Sequence, residues 1–182
     1  MQKEEPVKRA LIACAILSVI PAAADAQTSR LSVGLYADGS RSSQFVMCGW
    51  QPFEVWVWWR PGTFGFISAR YRISFPANVV TIEAHAGPDM LSRIDDGVIF
   101  LAFNYCRMDW AWTHYFSCTL GGELQGLVAV CPPAGESEIR AVTCGYGDPM
   151  EPVVILNEFG INQDAVIAVE PQTWGAIKGL YR

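Results

Sequence analysis

The sequence predicts an all-β protein, a single antiparallel β-sandwich over residues 27–172. Three observations carry this. Short alternating apolar and polar runs are separated by Gly, Pro, Asn and Asp clusters, the spacing of a sandwich or barrel. The chain carries 7 Trp, 9 Phe and 6 Tyr, all after residue 26, a load that suits sheet faces. One segment, residues 66–75, alternates without a break: Ile67, Ala69, Tyr71, Ile73 and Phe75 point one way and Ser68, Arg70, Arg72 and Ser74 the other. That is a half-buried strand with a wet outer face.

The elements follow in order. Residues 31–37 form a first strand closed by the turn residues Asp38, Gly39 and Ser40. Residues 53–59 form a second, broken by Pro61 and Gly62. Because it is apolar on both faces, it reads as central, with Trp56 and Trp58 packed rather than presented. Pro76, Ala77 and Asn78 turn the chain after the alternating strand, and residues 79–84 return. Residues 87–96 read as a polar loop. Residues 98–104 are apolar at nearly every position and predict a strand covered on both faces. Residues 109–119 are aromatic and alternating. Residues 124–131 and 139–144 flank Pro132, Pro133, Ala134 and Gly135 and read as a hairpin. Short strands follow at 153–156 and 165–169. Residues 173–182 suggest a short C-terminal helix. Thr173 can cap it, Trp174, Ile177 and Tyr181 share a face, and Lys178 and Arg182 suit its C-terminal end. Gly175 and Gly179 weaken it on its own, so this segment is expected to order by docking those three side chains, or to serve as an address read by a partner.

The first 26 residues read as a secretory signal peptide with its own helix. Lys3, Lys8 and Arg9 make a basic start, residues 10–20 are uncharged and apolar, and Ala24 and Ala26 place small residues before a cleavage site at Gln27. The apolar run is too short for a stable transmembrane anchor. Leu11, Ile12, Ala13 and Cys14 loosely resemble a lipidation box, but only four apolar residues separate Arg9 from Cys14. The expectation is a soluble domain outside the cytoplasm, where cysteines can pair. Net charge is −5. Lys178 is the one lysine after residue 26 and the arginines are scattered along the sequence, which argues against nucleic acid as a partner.

Residues 64–103 resemble the middle of a cohesin-type β-sandwich, a secreted bacterial module. In that family a strand leads into a proline corner and a second strand, matched here by Ile73, Ser74, Phe75, Pro76, Ala77, Asn78, Val79, Val80, Thr81 and Ile82. A later strand of small and apolar residues is matched by Gly97, Val98, Ile99, Phe100, Leu101, Ala102 and Phe103. Phe75 replaces the aspartate expected before the proline. The resemblance implies a jelly-roll-like sandwich with a binding or scaffolding role. It does not imply recognition of a dockerin.

Five cysteines follow the signal: Cys48, Cys106, Cys118, Cys131 and Cys144. The odd count leaves at least one unpaired or bonded to another chain, and no pair has zinc-ligand spacing. Cys106 and Cys118 bracket an excursion near Trp112; if the chain doubles back there, they bond. In a hairpin turning at Gly135, Cys144 lies about five residues past the position opposite Cys131, about 16 Å at the strand rise. That leaves Cys144 for Cys48 and makes Cys131 the odd thiol.

Trp110, Trp112 and His114 fall on one face by alternation and are the candidate ligand-binding residues, a row of rings able to stack on sugars. The competing reading packs them into the core, and apolar alternation favours it. His85 and His114 have no second His or Cys at ligand spacing, and no nucleophile elbow is present. Asp89, Asp95, Asp96 and Asp109 lack the spacing of a calcium loop. Glu83 and Glu123 are conceivable as a glycosidase pair, but nothing selects them. The sequence therefore points to a secreted, non-enzymatic binding or structural module with no cofactor or metal, partnered by a protein or glycan. A carbohydrate-binding module and a small extracellular hydrolase are the alternatives.

Overall fold

In the computed structural model, residues 30–122, 125–147, 149–163 and 166–167 are described. The expected signal peptide and the expected C-terminal helix lie outside them. No helix of the described residues is long and apolar enough to cross a membrane.

Among the described residues fourteen strands follow one another: β1 (Ser32–Tyr36), β2 (Phe45–Val46), β3 (Phe53–Arg60), β4 (Phe66–Ser74), β5 (Val79–Ala86), β6 (Met90–Asp95), β7 (Val98–Arg107), β8 (Ala111–Leu120), β9 (Gly126–Cys131), β10 (Arg140–Val142), β11 (Met150–Pro152), β12 (Val154–Ile155), β13 (Asn157–Ile161) and β14 (Val166–Ile167). They build two sheets. Sheet one runs β12-β1-β3-β8-β5. Sheet two is centred on β4, with β7 and then β6 on one side and β9 and β10 on the other; β13 continues from β9 and β11 from β10. The all-β sandwich is thus what the alternation predicts.

The core lies between the sheets. Val33, Leu35, Val55, Val57 and Trp59 enter it from sheet one, and Phe66, Tyr71, Leu101, Val128 and Phe159 from sheet two. Where the chain leaves sheet one for sheet two, a buried amide closes the ladder. Leu156 N donates to Val33 O, and the next pairing is made by the Asn157 side chain. Its Oδ1 accepts from Leu35 N at 3.0 Å and its Nδ2 donates to Leu35 O at 2.7 Å. The side chain stands in for a peptide group, so the strand end leaves no orphaned backbone polar group.

Several sequence expectations change. Residues 87–96 are not a loop throughout: Met90–Asp95 form β6, the edge of sheet two, with Met90, Ser92 and Ile94 opposite the buried Phe103, Leu101 and Ile99 of β7. β7 lies between β6 and β4 but is buried on one face only; Phe100 is exposed on the other. The hairpin expected around Gly135 does not exist. β9 and β10 both run antiparallel to β4 along the same edge, with Cys131 opposite Arg72 and Arg140 opposite Arg70. They are two halves of one strand interrupted by the excursion 132–139.

The disulfide expectation is corrected as well. Cys106 bonds Cys144, with Cα atoms 5.9 Å apart, and neither Cys106–Cys118 nor Cys48–Cys144 forms. The reason is topological. The chain does not double back near Trp112; it crosses between sheets there, so β7 and β8 belong to different layers. Cys118 points into the core at the centre of sheet one, flanked by Phe53 and Thr81, with its thiol pushed up to about 11 by burial. Cys48 is also a buried free thiol, and Cys131 is free and half-buried. The bridge passes beside Gly65 at the start of β4. Gly65 has φ +67°, and a Cβ there would sit 2.6 Å from Cys106 Sγ and from the Arg107 carbonyl oxygen, so glycine is required by both backbone and space.

Candidate functional site

The two outer faces of the sandwich differ in chemistry, and register explains both.

On sheet two, neighbouring strands align their outward residues in rows. Arg93 of β6 pairs with Phe100 of β7, Phe100 with Arg70 of β4, and Arg70 with Arg140 of β10. The row beside it contains Asp95, Val98 and Arg72, and that on the other side Leu91, Ala102, Ser68 and Val142. Leu91 is 71% exposed and Phe100 40%. Four arginines that are scattered in sequence therefore share one face of an acidic chain. Ion pairs rim it: Arg70 with Glu136, Arg93 Nη2 with Asp95 Oδ2 at 2.7 Å, and Arg140 Nε with Glu138 Oε1 at 3.4 Å. Arg72 Nε donates to Pro132 O at 3.0 Å. These pairs are solvent-facing, so each contributes under about 1 kcal/mol.

On sheet one, Trp110, Trp112 and His114 do not share a face. A bulge in β8 puts Val57 opposite His114 but Trp58 opposite Trp112, leaving Thr113 as the extra residue. An extra residue reverses the side-chain alternation beyond it. Trp112 and Tyr115 consequently lie on the outer face, while Thr113 and His114 are both buried.

Outside, Trp56 stacks on Tyr115 at 4.6 Å, Tyr115 stacks on His85 at 4.3 Å, and Trp112 meets Trp56 edge-on at 5.1 Å. Glu54 Oε2 accepts from Trp56 Nε1 at 2.8 Å, and Glu83 Oε2 lies 3.2 Å from His85 Nε2. The Arg41 guanidinium lies over both Trp58 and Trp110, at 4.8 and 4.3 Å. In this ladder Tyr115 is stacked on both Trp56 and His85, and Arg41 covers a face of Trp58 and of Trp110. A sugar platform needs free ring faces, so the arrangement does not favour carbohydrate stacking. Nor is Trp112 a core residue. Trp112→Ala is expected to cost about 1–2 kcal/mol, the worth of its ring pairs, read as a small loss in urea midpoint. A loss as large as that of a buried tryptophan would place it in the core after all. A cavity of about 400 Å³ beside the ladder is lined by Ala37, Val46, Pro52, Phe53, Glu54 and Ser117.

Inside, His114 is only 1% exposed and is held at both nitrogens. Nδ1 lies 2.9 Å from Tyr71 Oη and Nε2 lies 2.6 Å from Ser92 Oγ; Tyr71 Oη also meets Thr113 Oγ1 at 3.2 Å. A serine, a histidine and an orienting group are in line. The third member is a phenol whose ionisation burial opposes, not a carboxylate, so nothing offsets an imidazolium charge. Burial holds His114 down to about 4. The trio reads as a satisfied buried histidine.

This gives a pH dependence. Unfolded, histidine titrates near 6.5. Between about 4 and 6.5 the unfolded chain binds a proton that the folded chain refuses. The His114 contribution is therefore complete above pH 6.5 and is lost as pH falls toward 4, by about 3 kcal/mol at most. Urea midpoints at pH 7 and 4.5 should converge more in His114→Gln than in the native chain. An equal drop in both would sink this assignment.

Among the described residues, no group of three His, Cys, Asp or Glu side chains could hold a metal ion. Asp95 is committed to Arg93, while Asp89 and Asp96 sit in turns with positive φ. Glu83 is paired with His85, and Glu123 lies outside the described residues.

No protein-family model matches the chain, and no curated protein matches its sequence. Solved structures do match. The non-cellulosomal cohesin of Archaeoglobus fulgidus superposes with a TM-score of 0.52, covering 81% of this chain and 98% of its own at 9% identity. The fold is cohesin-like. A chain of a type I cohesin–dockerin complex from Clostridium thermocellum gives a TM-score of 0.51 over 73% of this chain and 92% of its own, at 10% identity. The cohesin module of a family 33 glycoside hydrolase from Clostridium perfringens gives 0.50 over 70% and 98%, at 13% identity. The cohesin-like resemblance read from residues 64–103 thus extends over most of the chain as a shape.

The arginine row is what sequence reading missed. The signal was present in part: Ser68, Arg70, Arg72 and Ser74 mark an outer face, and Val98, Phe100 and Ala102 alternate with core residues. Only the register of β4 with β7 and β10 brings them together.

Proposed function

We propose that this chain is a secreted, non-catalytic module that binds a protein partner through the outer face of sheet two. The observation that supports it is the row Arg93, Phe100, Arg70 and Arg140, with Leu91 beside it, on the outer face of the sheet. Arginine and aromatic side chains dominate the energetics of protein interfaces. Four cations on one face select a partner carrying carboxylates, and Phe100 and Leu91 supply the apolar anchor. A cohesin-like fold serves protein recognition in the Clostridium thermocellum cohesin–dockerin complex; the same kind of use is proposed here, with no dockerin implied. The basic start, apolar run and Ala24 and Ala26 support export with cleavage before Gln27.

The test places a photo-crosslinking residue at Phe100 and, as a control, at Trp112, in protein exported by its host. Cross-links are expected from Phe100 only, and are expected to fall with added salt. They should disappear in Arg70→Glu/Arg140→Glu while the thermal midpoint stays the same. Cross-linking indifferent to charge reversal, or equal from Trp112, would refute the assigned face. N-terminal sequencing of the exported protein should begin at Gln27.

A further inference from the structure

Each sheet ends in an open strand on the same side of the sandwich, β5 in sheet one and β6 in sheet two, joined by residues 87–89. Among the described residues β5 pairs with β8 alone and β6 with β7 alone, so each has one edge of backbone N–H and C=O groups without a neighbouring strand. The other terminal strands, β11, β12 and β14, have two or three residues, too few to template a neighbour. β6 carries the Arg93–Asp95 ion pair. β5 has neither lysine nor proline, the residues that usually blunt an edge. It is 8 residues long, Val80 to Ala84 are all exposed, and Ile82 shows 62% of its surface. A free, apolar edge of this length is a template for another strand.

We infer that β5 pairs antiparallel with β5 of a second copy of this chain, about a two-fold axis at Ala84. The strand itself selects that occupant and that register. A bulge at Ile82 interrupts the pairing with β8 between Thr81 and Glu83, so the regular stretch is Glu83 to Ala86. Self-pairing that carries both faces of the sheet across the interface sets residues of the same parity opposite each other. Two centres lie within the stretch. Centred on His85, the pairing sets imidazole against imidazole. Centred on Ala84, it sets Glu83 opposite His85 of the second copy, twice by symmetry, with the small Ala84 side chains meeting on the core side. Within one chain these two groups already pair, Glu83 Oε2 lying 3.2 Å from His85 Nε2. On the outer face the row Trp56, Tyr115 and His85 runs on to Glu83 of the second copy. Opposite charges placed directly across an antiparallel pair stabilise it, and the interface is isologous, so it closes at two copies. It lies on the open side of the sandwich and does not rest on the partner face of sheet two.

The experiment is sedimentation velocity of the exported protein over a range of micromolar concentrations, where a reversible dimer is expected. Glu83→Lys should weaken it by about tenfold, because both symmetry-related pairs are lost at once. Glu83→His/His85→Glu, which reverses each pair, should restore it. In parallel, Ala84→Cys in a Cys131→Ser background should oxidise to a disulfide-linked dimer, since directly opposed residues stand about 4.5–5.5 Å apart at Cα. Val80→Cys in the same background lies far from the axis and should stay unlinked. A monomer at every concentration, a dimer indifferent to Glu83→Lys, a charge swap that restores nothing, or linking from Val80→Cys as readily as from Ala84→Cys would each overturn the inference.

Discussion

Trp59→Ala is expected to destabilise the domain by about 3–5 kcal/mol, the largest effect of any single truncation on β3. Trp59 is fully buried, its ring lies 5.3 Å from Phe66 in a stacked pair, and Tyr71 meets it edge-on at 5.5 Å. It joins the two sheets at the centre of the sandwich, so its loss opens a cavity that neither sheet can close without sliding against the other. The neighbouring Trp58, one residue away on the outer face, has no such role. Equilibrium urea unfolding of the two alanine variants separates them. Similar losses for both would mean that the alternation of β3 is assigned the wrong way round.

Removal of the Cys106–Cys144 bridge should cost nearly as much. It closes a loop with a sequence separation of 38, for which chain entropy gives about 4 kcal/mol. In a domain of this size that lowers the thermal midpoint by roughly 10 °C. The bond ties the end of β7 to the segment after β10, strands that flank β4 on opposite sides. Cys106→Ala/Cys144→Ala and reduction of the native protein should therefore give the same midpoint. Cys48→Ala/Cys131→Ala should leave sensitivity to reductant intact. A non-reducing peptide map showing Cys106 joined to Cys118 would contradict the crossing of the chain between the sheets.

What was legible in the sequence was whatever alternation carries by itself. The inward set Ala69, Tyr71 and Ile73 of β4 and the set Val55, Val57 and Trp59 of β3 follow from a period of two. Alternation fails at an irregularity that leaves no mark in composition. The extra residue at Thr113 sends Trp112 outward and His114 inward, and a count from Trp110 onward cannot detect it. Pairing partners fail for a different reason. Which sheet a strand joins depends on long-range contacts, so β7 and β8 look like neighbours although they lie in different layers. The arginine face inherits this limit: each arginine is visible as an outward residue, but their convergence exists only in the register.

The excursion between β9 and β10 can change in length and content without disturbing the sheets. Residues 132–139 leave the ladder opposite Arg72 and rejoin it opposite Arg70, two positions along the same strand. The two ends of the excursion are thus fixed close together by β4, whatever lies between them. Each doubling of such a loop adds only about 0.6 kcal/mol of closure entropy, and no strand register depends on its length. Its present content already reaches the arginine row, since Glu136 holds Arg70 and Pro132 holds Arg72. The excursion is therefore a graft point: its sequence can be exchanged to change the groups that rim the arginine row while the sandwich beneath it folds as before.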